Sequence, residues 1–158
     1  MEWKIIEAAK AAHYTAAFGL FKEYVASLDF DLDFQNIDHE LTILPAMYGP
    51  PGGVLFLVEV EGDPVGCAAL RPIENATTCE LKRMYLRPVY RGHGIGKSIM
   101  KKSLEKARML GYTTMKLDTI GYKMPWAVGL YKSYGFRETA PYNHNPHDGV
   151  MYFERRLD

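Results

Sequence analysis

The sequence predicts a single mixed α/β domain over residues 1–158, and three observations predict it. Strand-like and helix-like periodicities alternate along the chain. Three strand-like segments occupy its middle, and a glycine cluster stands between the last of them and an amphipathic helix. The length suits one domain. A chain of about 150 residues buries roughly two-thirds of its unfolded surface, enough for a core without disulfides or metal.

Residues 3–8 read as an opening strand. Tyr14, Phe18, Phe21, Val25 and Leu28 then recur at steps of four and three, one apolar face of a helix. After a polar stretch over 29–39 a shorter helix is expected around 34–44, and Pro45, Pro50, Pro51, Gly52 and Gly53 are expected to break the chain into a loop. Residues 54–60 are rich in β-formers, and Glu61-Gly62-Asp63-Pro64 turns them into 65–70 as a hairpin. Residues 79–86 form the third central strand, ended by Pro88. The helix after the glycine cluster shows an apolar face of Ile95, Ile99, Met100, Ser103, Ala107 and Leu110, with Gly111 as its stop. A strand over 113–119, a helix over 125–134 stopped by Gly135, and a closing hairpin with its last strand over 150–157 complete the chain. The order is β-α-α-β-β-β-α-β-α-β-β, without internal repeats.

Hydrophobic residues make up 47% and charged residues 24%, near globular averages, which excludes a disordered chain. Nineteen basic residues balance nineteen acidic ones, so no long-range field draws nucleic acid or an anionic membrane. Cys67 and Cys79 sit in apolar, strand-like settings that fit a reducing compartment. The N-terminus has no apolar signal core, and no run reaches the ~18 apolar residues of a membrane span. A cytoplasmic protein is expected.

The cluster Arg91-Gly92-His93-Gly94-Ile95-Gly96 carries the most chemical information. Glycines at every second position let backbone approach a ligand closely, and the following helix aims free N–H groups and positive dipole charge at it. An anion such as a pyrophosphate suits that place, with Arg91 and Lys97 flanking it. A Walker A loop ending at Gly96-Lys97-Ser98 requires glycine at position 91, which is arginine. A dinucleotide fingerprint from Gly92 requires glycine or alanine at position 97, which is lysine. Both are excluded.

The pattern Gln/Arg-x-x-Gly-x-Gly/Ala is met by Arg91, Gly94 and Gly96. Upstream stands Glu80-Leu81-Lys82-Arg83-Met84-Tyr85-Leu86-Arg87-Pro88, and about 35 residues after the loop Ala127-Val128-Gly129-Leu130-Tyr131-Lys132-Ser133-Tyr134-Gly135-Phe136. Together these motifs resemble the GNAT superfamily of N-acetyltransferases over residues 54–157, and in element order alone before that. One departure is Met124, where many members carry an asparagine.

The resemblance implies an acyl-CoA N-acyltransferase fold, a mixed central sheet with a splayed strand pair flanked by helices. It implies acetyl-CoA as co-substrate, its pantetheine on the backbone of Met84, Tyr85 and Leu86. The pyrophosphate would lie on Arg91, Gly92, His93, Gly94, Ile95, Gly96 and Lys97, with Tyr131 beside the thioester. A primary amine would attack the thioester directly, through a tetrahedral intermediate whose oxyanion faces the Met84 N–H. Glu80, eleven residues before Arg91, matches the glutamate base of the histone-acetylating branch. It reads equally as a strand carboxylate paired with Lys82 or Arg83. Tyr131 matches the tyrosine that protonates the departing thiolate, or else packs against the sheet; Tyr134 is a weaker rival.

Other constellations give less. His144, His147 and Asp148 lack a fourth ligand at metal spacing, so no metal is expected. The acceptor is expected to be a small-molecule amine or amino acid, with a protein lysine or N-terminus, or a non-catalytic CoA sensor, as alternatives. Asp29, Asp31, Asp33, Asp38 and Glu40 would favour a cationic amine, or form a solvated helix flank. Tyr48, Tyr142, Asn143 and Asn145 are further candidates for the acceptor pocket, and the protein is expected as a monomer or homodimer.

Overall fold

The computed structural model of the protein describes residues 1–27, 34–145 and 148–158. The elements follow the predicted order: β1 (Trp3–Glu7), α1 (Ala11–Ser27), α2 (Phe34–Tyr48), β2 (Val54–Val60), β3 (Asp63–Pro72), β4 (Thr78–Leu86), α3 (Ile95–Met109), β5 (Thr114–Ile120), α4 (Pro125–Ser133), β6 (Arg137–Glu138) and β7 (Val150–Arg156). Leu28, Asp29, Asp31, Asp33 and His147 lie outside the described residues, as do the side chains of Asp38 and Glu40.

The strands form one sheet in the order β1-β2-β3-β4-β5-β7-β6. Its neighbours are antiparallel except β4 and β5, which run parallel. That parallel pairing covers only Thr78↔Thr114, Cys79↔Met115 and Glu80↔Lys116. Beyond Glu80 the two strands splay, while β4 stays paired to β3 as far as Leu86. Within that stretch β4 bulges: the register slips between Cys67↔Tyr85 and Ala69↔Lys82, and Arg83 takes a left-handed φ of 56°.

Strand alternation divides the core between the two sheet faces. Leu81, Met84 and Leu86 of β4 pack with Ile99, Met100 and Leu104 of α3, and with Ala127 and Tyr131 of α4. Tyr85 faces the other way, into a cluster with Phe18 and Phe21 of α1 and Leu44 and Tyr48 of α2. In α3 the buried stripe is Ile95, Ile99, Met100, Ser103, Leu104 and Ala107. Leu110 is instead the capping residue of that helix, followed by Gly111 in the left-handed region at φ 92°.

One element corrects the sequence expectation. Pro45 does not begin the loop; α2 runs through it to Tyr48. Proline lacks the N–H that would bond four residues back, at a cost of about 3 kcal/mol relative to alanine in a helix interior. Leu44 and Tyr48, four apart on one helical face, are both fully buried. Burial of two such side chains contributes roughly 1.5–3 kcal/mol each and offsets the proline. Pro45 itself is exposed.

Pro45→Ala therefore restores a helical bond without touching the core. It should stabilise the protein by about 2 kcal/mol once the looser unfolded chain is allowed for. Urea unfolding measures this directly, and a neutral or destabilising result would show that α2 depends on a bend at the proline.

Candidate functional site

The chain leaves β4 through a single 3-10 turn at Pro88–Tyr90 and enters the glycine loop at Arg91. Gly92 and Gly94 adopt φ 84° and 86°, left-handed values that side chains resist, and a Cβ on either would meet nothing within 4 Å. The loop thus faces open space. The first bond of α3 runs from the Ser98 N–H to the Gly94 carbonyl, 3.2 Å. The N–H groups of Ile95, Gly96 and Lys97 precede it and have no acceptor in the helix. With the helix dipole behind them they offer a cradle for an anion.

That cradle is one wall of a cavity of about 260 Å³, lined by Leu86, Arg91, Gly92, Gly94, Gly96 and Lys97. Trp126 and Leu130 of α4 close the far side. Arg91 is fixed from two directions. Its Nε donates to the Leu86 carbonyl at 3.0 Å, and its guanidinium lies 4.4 Å from the centre of the Trp126 ring. Partial burial draws its pKa below the usual arginine value.

The cavity reaches the end of β4 at Leu86, beyond the fork where β4 and β5 cease to pair. The Arg87 N–H donates to Val65 of β3, 3.0 Å, so alternation turns the backbone groups of Leu86 and Met84 away from β3, into the fork. Tyr85 is turned away instead. Its backbone pairs opposite Cys67, its ring packs edge-on to Tyr24 at 5.7 Å, and its hydroxyl bonds Glu23. Glu23 also takes two bonds from Arg87, at 2.7 and 3.0 Å, fastening α1 to the end of β4. His93 is exposed on the loop, and the Ile95 side chain lies in the core, leaving its N–H to face the site.

Glu80 sits at the last pair before the splay and is 1% exposed. Its partners are neither Lys82 nor Arg83. Arg71 Nε donates to Oε1 at 2.9 Å and the Tyr142 hydroxyl donates to Oε2 at 2.6 Å. Burial and the Glu80 carboxylate push the Tyr142 phenol far up, so it holds its proton. Tyr131 is buried on α4, tilted against Phe136 and Phe153 at 5.9 and 6.3 Å. Its hydroxyl hydrogen-bonds to none of the described residues. Burial above all, then Tyr24 and Asp118, raise its pKa.

On the same sheet face as Glu80, Asn143 donates to Asp118 at 2.9 Å, and Lys116 pairs with Glu74 at 2.8 Å. Tyr48 is fully buried, its ring edge-on to Phe21 at 6.4 Å. Cys67 and Cys79 are free and buried; burial pushes the Cys79 thiol up to about 12 and Cys67 further. Among the described residues no three His, Cys, Asp or Glu side chains converge as a metal site would need.

Three residues of this region escape the motifs. Trp126 stands four before the motif residue Leu130 on α4, and that spacing is the signal that could have paired them. Arg71 becomes visible only once the β3–β4 register sets it opposite Glu80. Tyr24 lies one residue off the apolar stripe of α1.

Residues 11–136 match the model of the Acetyltransferase (GNAT) family. An uncharacterized N-acetyltransferase of Schizosaccharomyces pombe is 42% identical over 139 residues, 87% of this chain and 85% of its own length. The N-acetylaspartate synthetase of Homo sapiens is 37% identical over 95 residues, which cover 60% of this chain and 31% of that protein. Among solved structures, a GNAT-family acetyltransferase of Staphylococcus aureus Mu50 superposes with a TM-score of 0.84 at 22% identity, covering 99% of this chain and 100% of that one. An acetyltransferase of Salmonella typhimurium, solved with its cofactor acetyl-CoA, superposes with a TM-score of 0.71 at 19% identity, covering 100% and 95%. The fold, the glycine loop at the strand fork and these matches agree: the chain belongs to the Acetyltransferase (GNAT) family and is an acyltransferase.

Proposed function

We propose that the protein, acting as one domain over residues 1–158, transfers the acetyl group of acetyl-CoA to the amine of a small molecule, an amino acid foremost. The observation that carries this reading is the cavity at the β4–β5 fork, with its open glycine loop and unpaired helix N–H groups. Those donors, with Arg91 and Lys97, match a pyrophosphate in charge and geometry. The backbone of Met84 and Leu86 faces the fork like a strand edge awaiting a partner, which suits the amide groups of pantetheine. A relative named for making N-acetylaspartate, an N-acetylated amino acid, supports the acceptor class.

The chemistry asks two proton transfers of the protein. A free amine near pKa 10 is mostly protonated at neutral pH and must lose a proton before its nitrogen can attack. In the transfer a C–N bond forms to the acetyl carbon, the C–S bond breaks, and the thiolate takes up a proton. Glu80 is assigned as the base. Each of its oxygens accepts one hydrogen bond, and a carboxylate oxygen has two lone pairs, so one remains on each to receive a proton. Tyr131 is assigned as the acid. Because burial raises its pKa, it stays protonated throughout the working range and is not exhausted at alkaline pH. The Met84 N–H is assigned to the developing oxyanion.

Acetyl-CoA at a hundredfold over Kd should stabilise the protein by about 2.7 kcal/mol, read as a rise in Tm. Gly94→Glu sets a side chain and a negative charge in front of the loop, and should abolish that rise while the variant still unfolds cooperatively. An undiminished rise would make the loop a structural turn only.

Tyr131→Phe should lower kcat by roughly 10²-fold with little change in acetyl-CoA affinity. Glu80→Gln should lose most activity near neutral pH and recover part of it as rising pH deprotonates the amine in solution. Alkaline pH should not rescue Tyr131→Phe, which lacks an acid. Equal rescue of both variants, or less than a tenfold loss in each, would remove these two residues from the chemistry.

A further inference from the structure

We infer that the acceptor carries a carboxylate next to its amine and that Arg71 is the residue that holds it. The inference rests on the acceptor reading above and sharpens it to α-amino acids.

Arg71 stands opposite Glu80 in the β3–β4 register, on the sheet face that carries α1 and α2. Its Nε is committed to Glu80 Oε1 at 2.9 Å. Its Nη1 and Nη2 donate to none of the described residues, and the side chain is 32% exposed. Those free donors border a second cavity, of about 310 Å³, between the end of α2 and the loop that follows it. The wall includes backbone and apolar groups from Met47, Gly49, Gly52, Gly53 and Pro72, and among the described residues that line it Arg71 is the one that is charged. Glycine keeps this wall close to the strand. A Cβ at Gly53 would stand 2.6 Å from the Leu70 carbonyl oxygen, so the loop presses on β3 where no side chain fits.

The surrounding charge points the same way. Lys82 lies two residues beyond Glu80 on the same face, half-buried and without a partner among the described residues. Lys116, across the parallel pair, is already held by Glu74. The single charge of Glu80 is shared with Arg71, and Asp118 on the same face accepts a hydrogen bond from Asn143. A substrate carboxylate would be attracted by both the Arg71 guanidinium and Lys82, whereas a cation in its place would be repelled by both. The acidic run that would favour a cationic acceptor, Asp29, Asp31 and Asp33, lies outside the described residues.

A guanidinium is a rigid planar fork with edges that grip carboxylates in pairs of bonds. In Arg71 the Nε corner fixes the proposed base, and the Nη groups are free for the substrate. An α-amino acid separates its amine from its carboxylate by one carbon. With the carboxylate on Nη, the amine lies alongside Glu80. Arg71 then sets the register between the base and the group it deprotonates.

The test uses the full chain with saturating acetyl-CoA and follows thiol release. Each amino acid is compared with its own α-amide, which keeps the shape and the amine but loses the charge. The acids should exceed the amides in kcat/KM by ten- to a hundredfold, the range for a charged hydrogen bond. Arg71→Lys keeps a cation beside Glu80 but loses the fork. It should raise KM for the acids at least tenfold and erase the preference over amides, with the Tm rise on acetyl-CoA unchanged. Lys82→Met, which leaves the Glu80 pair intact, should weaken acids more than amides. Amides that serve as well as acids, or a preference intact in Arg71→Lys, would overturn the inference. If no acceptor turns over, calorimetry with the same acids decides. Binding lost in Arg71→Lys upholds the carboxylate site and removes the transfer reading, while no binding at millimolar acid removes the site.

Discussion

The ladder between β4 and β5 stops after Glu80 and Lys116, and the rest of the site depends on that early stop. Had the two strands stayed paired, the backbone of residues 81–86 would be closed on both sides. The bulge at Arg83 prevents it. Placing a non-glycine residue at a φ of 56° costs on the order of 1–2 kcal/mol, and it bends β4 away from its parallel neighbour while the bonds to β3 continue on either side. Backbone groups left open in this way need partners. Here they stand in a row, beside the N-terminus of α3 and under the Arg91–Trp126 stack, so one extended ligand can meet all of them. The Arg87–Glu23 pair then ties α1 to the same strand end, which keeps the fork from closing as a unit with the helix.

Element order was fully legible because each segment's apolar period is carried by large side chains: Phe18 and Phe21 in α1, Ile99 and Met100 in α3, the valines of β2. The loop was legible for a different reason. Gly92 and Gly94 occupy left-handed backbone that few other residues tolerate, so conformation and sequence coincide. Pro45 misled because a local rule met a non-local gain, the burial of Leu44 and Tyr48. Tyr85 stands between Met84 and Leu86 in the motif, and strand alternation sends its side chain to the face opposite theirs, which the motif alone does not show. Arg71 was invisible to any motif, since what it touches is decided by the register across a hairpin.

Glu80 and Tyr131 are placed at odds with stability, in opposite ways. Withdrawing a carboxylate from water costs several kcal/mol, and Arg71 and Tyr142 do no more than balance it. A buried ion pair of this kind is often no more stabilising than apolar residues of the same volume. Tyr131 presents the converse. A phenol that is 5% exposed and bonds none of the described residues forgoes the roughly 1 kcal/mol that a hydrogen bond supplies, where phenylalanine would pack against Phe136 and Phe153 equally well.

These two departures stand on opposite faces of the sheet, Tyr131 with the α3–α4 core and Glu80 beneath α1 and α2. Beyond Glu80 the parallel strands β4 and β5 are no longer paired, which leaves the sheet open between those two faces. The donor's cradle of helix N–H groups lies on one side, and the cavity of Arg71 on the other. On the proposed reading the acceptor amine comes from the Arg71 side and the thioester along the fork, so that the proposed base and the proposed acid stand on the two faces of the same sheet.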